Sequence, residues 1–334
     1  MELMQRVEMG DPEALRDPAI RAWLEANAGA IAHFRAGAQK RLAGFGYQGN
    51  SGVAVIDAVI ARSGKLRQLA RTTVAYARAL AMEGDAGSAA AVLADVAAAG
   101  AQQSRGGLVI EGLVGTAIAG MAQEALHEQL AGGAGADHDF VAMARDLDDP
   151  ARRMSPFREI VRTEQAYMLS ERPAMASGGH GQQQMSEEAA LFMEALATVA
   201  ELPFADGRTL FDELDELARS ATATPWLAVV TPSMQKAYLV HQRAEMQRQG
   251  TRLLVNLRAY HQVHGTYPDS LEPFADRDFV EDPLSGQPFV YRREGDGFVL
   301  YSLGAAATDL GGQHDRRAET GNYRFWPPPP PDER

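Results

Sequence analysis

The chain contains no cysteine. That absence removes disulfides, thiolate zinc sites, iron–sulfur ligation and cysteine nucleophiles together, and it leaves reducing and oxidising compartments equally open. Basic charge is in short supply, with 32 lysines and arginines against 44 aspartates and glutamates and a net charge of −12. A chain with this balance repels phosphate backbones, so no nucleic-acid partner is expected. Long uncharged apolar runs are missing as well, the mean hydropathy is −0.25, and no membrane span is expected within the chain. The first twenty residues carry charges throughout and lack the apolar stretch of a secretory signal. An extracytoplasmic or envelope location would require a leader or anchor upstream of Met1; otherwise the reading is cytoplasmic.

What is present divides unevenly. A chain of 334 residues suits about two domains. Residues 1–250 hold 52 of the 58 alanines, whereas residues 251–334 hold 11 of the 24 aromatics. The alanine-poor helix beginning at Pro232 leads straight into the aromatic quarter. The expected units are therefore an α-helical domain at 1–231, an α+β domain at 232–326 and a proline-rich tail at 327–334.

In the first unit Asp17-Pro18 reads as an N-cap with proline in the first turn. Ile20, Trp23, Leu24, Ala28, Ile31 and Phe34 follow at three- and four-residue steps and predict one amphipathic helix. The glycine-rich 44–52 stretch predicts a loop, with helices resuming after Gly64. Leu66, Leu69, Ala70, Thr73, Tyr76, Ala77 and Leu80 line one helical face. Gly84-Asp85 turns the chain, and Ala89, Leu93, Val96 and Ala97 line the return. This hairpin resembles a single tetratricopeptide-type (TPR-like) unit, but no second copy follows at a spacing near 34 residues, so a solenoid is not predicted. A helix over 106–131 carries Gly112, Gly115 and Gly120 as points of close approach, and Glu111 and Glu124 interrupt its apolar surface as a bundle helix requires. Further helices are predicted at 139–147, 155–171, 186–202 and 207–220, with the SGGHGQQQ segment at 177–184 as an exposed loop.

The second unit opens with a helix from Pro232 to about His264. The period then changes to alternation: Pro288 to Tyr291, a turn at Gly295-Asp296-Gly297, and Phe298 to Tyr301 predict a hairpin. Tyr323 to Trp326 offer a third strand, and Pro327 to Pro331 end sheet pairing because proline has no donor.

The order and spacing of several pieces resemble the C-terminal domain of the major pseudopilin of type II secretion over roughly residues 250–326. They are Leu257-Arg258-Ala259-Tyr260 at a helix end, His264-Gly265-Thr266-Tyr267-Pro268, Asp282-Pro283, Gly286, Pro288, Tyr291 and Tyr301-Ser302-Leu303-Gly304. The helical part is more loosely similar to large bacterial proteins that carry such a domain at their C-terminus. The resemblance implies a long helix packed on a three-stranded antiparallel sheet. The expected fold class is thus mainly α, an irregular helical bundle with a TPR-like hairpin followed by a small pseudopilin-like α+β domain. It also implies a calcium-binding loop after Ser-Leu-Gly, here residues 302–323. Asp309 and Asp315 are the side-chain candidates and Leu303 offers a carbonyl, while Ala306 and Asn322 stand where the family often has aspartate. Calcium takes about six to eight oxygen ligands, so the competing reading is a loop held by its own glycines. The helix before Tyr260 contains Gln235, Lys236, His241, Arg243, Glu245, Gln247 and Arg248, so pilin-type filament assembly is not expected.

Catalytic patterns are weak. His261 and His264 have a metal-like spacing without a third ligand. Glu124 and His127 match one half of a di-iron helix pair whose other half is missing. Gly64-Lys65 lacks the upstream glycine of a phosphate loop. Asp148-Asp149, Glu187-Glu188 and the Asp212, Glu213, Asp215, Glu216 group read as polar faces. The first functional reading is a non-enzymatic structural or protein-interaction protein in an envelope-associated or secretion-like assembly, with calcium as the one candidate cofactor. The alternative is a hydrolase or other enzyme whose residues converge only in three dimensions, beneath the loops at 44–52 and 177–184. The first predicts a shallow groove or apolar patch, the second a deep pocket with several convergent ionisable groups.

Overall fold

Two Asp-Pro pairs start the first helices. Asp11 accepts from the amides of Glu13 and Ala14 at the head of α1 (Pro12–Arg16), and Asp17 accepts from Ala19 at the head of α2 (Pro18–Ala26). Proline's missing N–H costs nothing in a first turn. The computed structural model describes residues 6–7, 11–40, 53–105, 107–131, 138–149, 152–170, 191–219 and 227–330. The single helix expected from Asp17 to Phe34 is two. Asn27 ends α2, its Nδ2 donating to Trp23 O at 2.8 Å, and α3 (Ala28–Ala38) starts afresh. Such side-chain competition for a backbone carbonyl favours helix ends. The inward face is nevertheless the expected one, with Ile20, Leu24, Ile31 and Phe34 all buried.

The hairpin follows as α4 (Val53–Met82) and α5 (Ala86–Ser104). Contrary to expectation, α4 runs unbroken through Gly64. A glycine inside a helix costs about 1 kcal/mol, and the burial of Val59 and Ala70 on either side outweighs it. Gly84, with φ at +90°, makes the turn, and Asp85 caps α5 through Ser88 N at 3.0 Å. The predicted 44–52 loop lies outside the described residues.

Helix α6 (Val109–Ala131) lies along α5 so closely that a Cβ on Gly100 would fall 2.5 Å from Gly115 O. The remaining helices are α7 (Phe140–Asp148), α8 (Phe157–Ser170), α9 (residues 191–199), α10 (Phe204–Arg219) and α11 (Leu227–His264). A Cβ on Gly112 would meet Ile160 Cδ1 of α8 at 2.8 Å, but one on Gly120 would meet nothing within 4 Å. Of the three expected approach points, one meets backbone, one meets a side chain and one is open. Among the described residues only α6 has the length and apolarity of a membrane span, and 56% of its most apolar stretch is buried inside the molecule.

Helix α11 is 38 residues long, about 57 Å at 1.5 Å per residue. It begins at Leu227 rather than at Pro232. It packs on α6, α7 and α10. Its later turns bury Leu253, Leu254 and Leu257. Beyond it a two-stranded ribbon pairs β1 (Glu281–Asp282) with β2 (Gln287–Pro288), an element the alternation did not predict. The main sheet is antiparallel in the order β3 (Val290–Glu294), β4 (Gly297–Ser302), β5 (Tyr323–Trp326), with Glu294 opposite Gly297 across the Gly295-Asp296 turn. Gly250 of α11 lies directly beneath the Phe325 ring, where any side chain would overlap it. One apolar cluster runs from Phe34 in α3 to Phe325 in β5, so α11 serves both the helical part and the sheet.

Candidate functional site

The Ser302-Leu303-Gly304 turn is anchored on a buried carboxylate. Ser302, at the end of β4, is buried and donates to Asp282 Oδ2 at 2.7 Å. Asp282 also accepts from Ser285 Oγ at 2.7 Å and Leu284 N at 2.9 Å. Burial raises the Asp282 pKa, against the pull of these donors. Gly304, with φ at +73°, leaves the space that the Gly321 carbonyl occupies.

Inside the loop the organising group is Asn322, 0% exposed. Its Nδ2 donates to Leu303 O at 3.2 Å and Thr308 O at 2.8 Å, and its Oδ1 accepts from Leu310 N at 2.9 Å and Gly312 N at 3.0 Å. Asp315 caps its own turn: Oδ2 accepts from the amides of Glu319, Thr320 and Gly321, and Oδ1 from Arg317 N. Burial opposes ionisation of Asp315, but those amides win and bring its pKa to about 2. Asp309 Oδ1 accepts from Tyr301 Oη and from Gly311 N, both at 2.8 Å, and the tyrosine bond leads in lowering its pKa. The donor set does not fit a calcium ion as arranged. The Leu303 carbonyl already receives an N–H, the Asp309 and Asp315 carboxylates hold their own turns, and a buried amide N–H points where a cation would need oxygen.

The other sequence candidates are placed apart. His261 stacks on Tyr267 with ring centroids 4.4 Å apart, and His264 lies on Tyr260 at 4.1 Å. Glu124 pairs with Arg316 at 2.9 Å, while His127 Nε2 bonds Thr251 Oγ1 at 2.8 Å and meets the Phe325 ring edge-on. The His127 contacts, being largely out of water, matter more to docking the sheet on α6 than the exposed ion pair does. Among the described residues no group of three or more His, Asp and Glu side chains is placed to hold a metal ion. Gly64-Lys65 sits within α4. Asp148 receives the fully buried Arg252 at 2.8 and 3.0 Å, and Asp212 accepts from Gln235 at 2.9 Å. Glu187-Glu188 and the 177–184 loop lie outside the described residues.

A carboxylate pair not singled out in the sequence sits at the head of α6. Glu111, 2% exposed, accepts from Leu108 N at 3.0 Å and pairs with Arg62, and Glu164 accepts from Val109 N at 3.0 Å. Burial leads in raising the Glu164 pKa, with the Glu111 charge adding to it. Both carboxylates satisfy first-turn amides and sit at the favourable end of the helix dipole, so their arrangement is that of a helix cap.

A shallow groove of about 600 Å³ opens between α7 and the last turns of α11. Val141, Ala144 and Arg145 form one wall, Ala259, Tyr260 and Val263 the other, spaced as one face of each helix. Gln262 ties the walls together, accepting from Phe140 N at 3.1 Å and donating to His138 O at 3.3 Å. Val263 is 66% exposed and Val141 38%.

The chain matches no family model, curated protein or solved structure. Asp148, Asp149, His264 and Arg277 also line the α7–α11 groove, with Arg277 paired to Asp148 at 3.6 Å.

Proposed function

We propose that this chain is a non-enzymatic protein-interaction protein, and that the α7–α11 groove receives an amphipathic helix from a partner protein. The observation that carries this reading is the pair of exposed valines, Val141 and Val263, one on each helical wall of the groove. A helix laid in such a groove buries alternate turns of its apolar face. Arg145 on the rim, exposed and without an ion pair among the described residues, favours an acidic residue on that helix. The pseudopilin-like ending, with Asp282 and Ser302 in contact, supports placing the protein in an envelope-associated or secretion-like assembly.

Photo-crosslinking from position 263 in the native host tests the groove. The expected result is one discrete heteroadduct whose crosslinked peptide is an amphipathic, acid-bearing helix, and which disappears on Val141→Asp. Failure to form an adduct, or an adduct indifferent to Val141→Asp, would sink the reading.

A further inference from the structure

Helices α5, α6 and α7 leave a separate cavity of about 230 Å³ between them. Its wall is mainly apolar and built from short side chains: Ala94 and Ala97 of α5, Ala122 and Leu126 of α6, and Met143 of α7. Buried polar groups of Gln123, His138, Thr251 and Arg152 interrupt this wall. Gln123, 7% exposed, lines the cavity, and its Oε1 has no hydrogen-bond partner among the described residues. Buried polar atoms in folded proteins are nearly always paired, so an unpaired acceptor on this lining marks a place where a donor belongs.

The shape and chemistry of the wall narrow the choice of donor. Apolar cavities of roughly 150 Å³ admit benzene, so this one has room for a second fused ring. Met143 and Met154 both line it, and thioether sulfur makes favourable contacts with ring edges. Asp139, Asp146 and Arg152 on the lining carry charges of both signs, and a charged ligand would lose its hydration against the alanine wall. We propose that this cavity binds a small uncharged bicyclic aromatic molecule carrying one N–H or O–H donor, which it gives to Gln123 Oε1.

Calorimetric titration of the full chain with indole and with benzofuran tests this, since the two share an outline but only indole carries a donor. Indole is expected to bind saturably and about tenfold or more tighter than benzofuran, because a site built for a donor rejects the analogue lacking it. Gln123→Met should bring the two ligands to similar affinity. Ala97→Phe, at a half-buried wall position, should abolish indole binding with an unchanged far-UV circular dichroism spectrum. If that variant does not fold, Ala94→Leu replaces it with the same reading. The proposal is overturned if indole does not bind saturably, if Gln123→Met keeps the preference for indole, or if a folded cavity-filling variant binds indole as before.

Discussion

Asn322 shows how one buried side chain can hold a loop together. Its amide supplies two donors to the carbonyls of Leu303 and Thr308 and accepts from two amides on the far side of the loop. Asn322→Ala leaves all four backbone groups without this partner in a buried place. At about 1–3 kcal/mol for each unsatisfied group, partly relieved by relaxation, a loss of about 3 kcal/mol or more is expected in urea unfolding. Asn322→Asp is the sharper test. It turns the N–H face into a second oxygen directed at two carbonyls, an arrangement that only a cation relieves. The variant is therefore expected to unfold more easily than wild type in chelator and to regain stability with added calcium, while calcium leaves the wild-type midpoint unmoved. A calcium-dependent midpoint in the wild type would show that the Leu303, Asp309 and Asp315 oxygens rearrange to hold the ion. Nothing in the spacing of Asp309 and Asp315 distinguishes these outcomes, because an aspartate that caps a turn and one that binds a metal are the same letter.

At the scale of elements, the long α11 helix and the sheet meet through Gly250 and Phe325. Gly250→Ala pushes a methyl into the ring, and overpacking of this kind costs about 1–3 kcal/mol. The penalty should shrink when Phe325 is also replaced by leucine, and a thermodynamic double-mutant cycle measures that coupling. Strictly additive effects would place the helix and strand further apart than described. Most elements here were legible. The Asp17-Pro18 start, the Gly84-Asp85 turn and the strands on either side of Gly295-Asp296 all rest on local chemistry that acts within a few residues. The errors were equally local in appearance but not in cause. Gly64 looked like a helix start because its tolerance depends on what the flanking turns bury. Asn27 ended a helix through a bond to Trp23 O that hydrophobic spacing does not register.

Over the whole molecule, the balance of buried histidines sets a dependence on pH. His241, 6% exposed, bonds Ser155 O at 2.9 Å, and desolvation brings its pKa to about 4 despite the nearby Glu245 charge. His127 is pushed down to about 4 by desolvation as well. In both cases the folded value lies below the ordinary 6.5, so the unfolded chain takes up protons first. Their contribution is complete above pH 6.5 and is lost as pH falls through 4, on the order of 3 kcal/mol for His241. Thermal midpoints measured across that window should fall with pH, and His241→Gln should flatten the slope. An unchanged slope in that variant would assign the effect to other groups.

The sequence by itself determined the class of the molecule: helices from an alanine-rich, three-and-four-spaced chain, a small sheet from its aromatic and alternating end, and no cysteine chemistry. Those properties depend on composition and on neighbours along the chain. Which polar atoms found partners was decided only by the tertiary structure. Asn322 was matched with four loop groups, Glu111 and Glu164 were brought to one helix end, and the Gln123 oxygen was left without a partner among the described residues. The reason is physical: the cost of burying a polar atom depends on what surrounds it in space, and residues distant in the chain supply those surroundings.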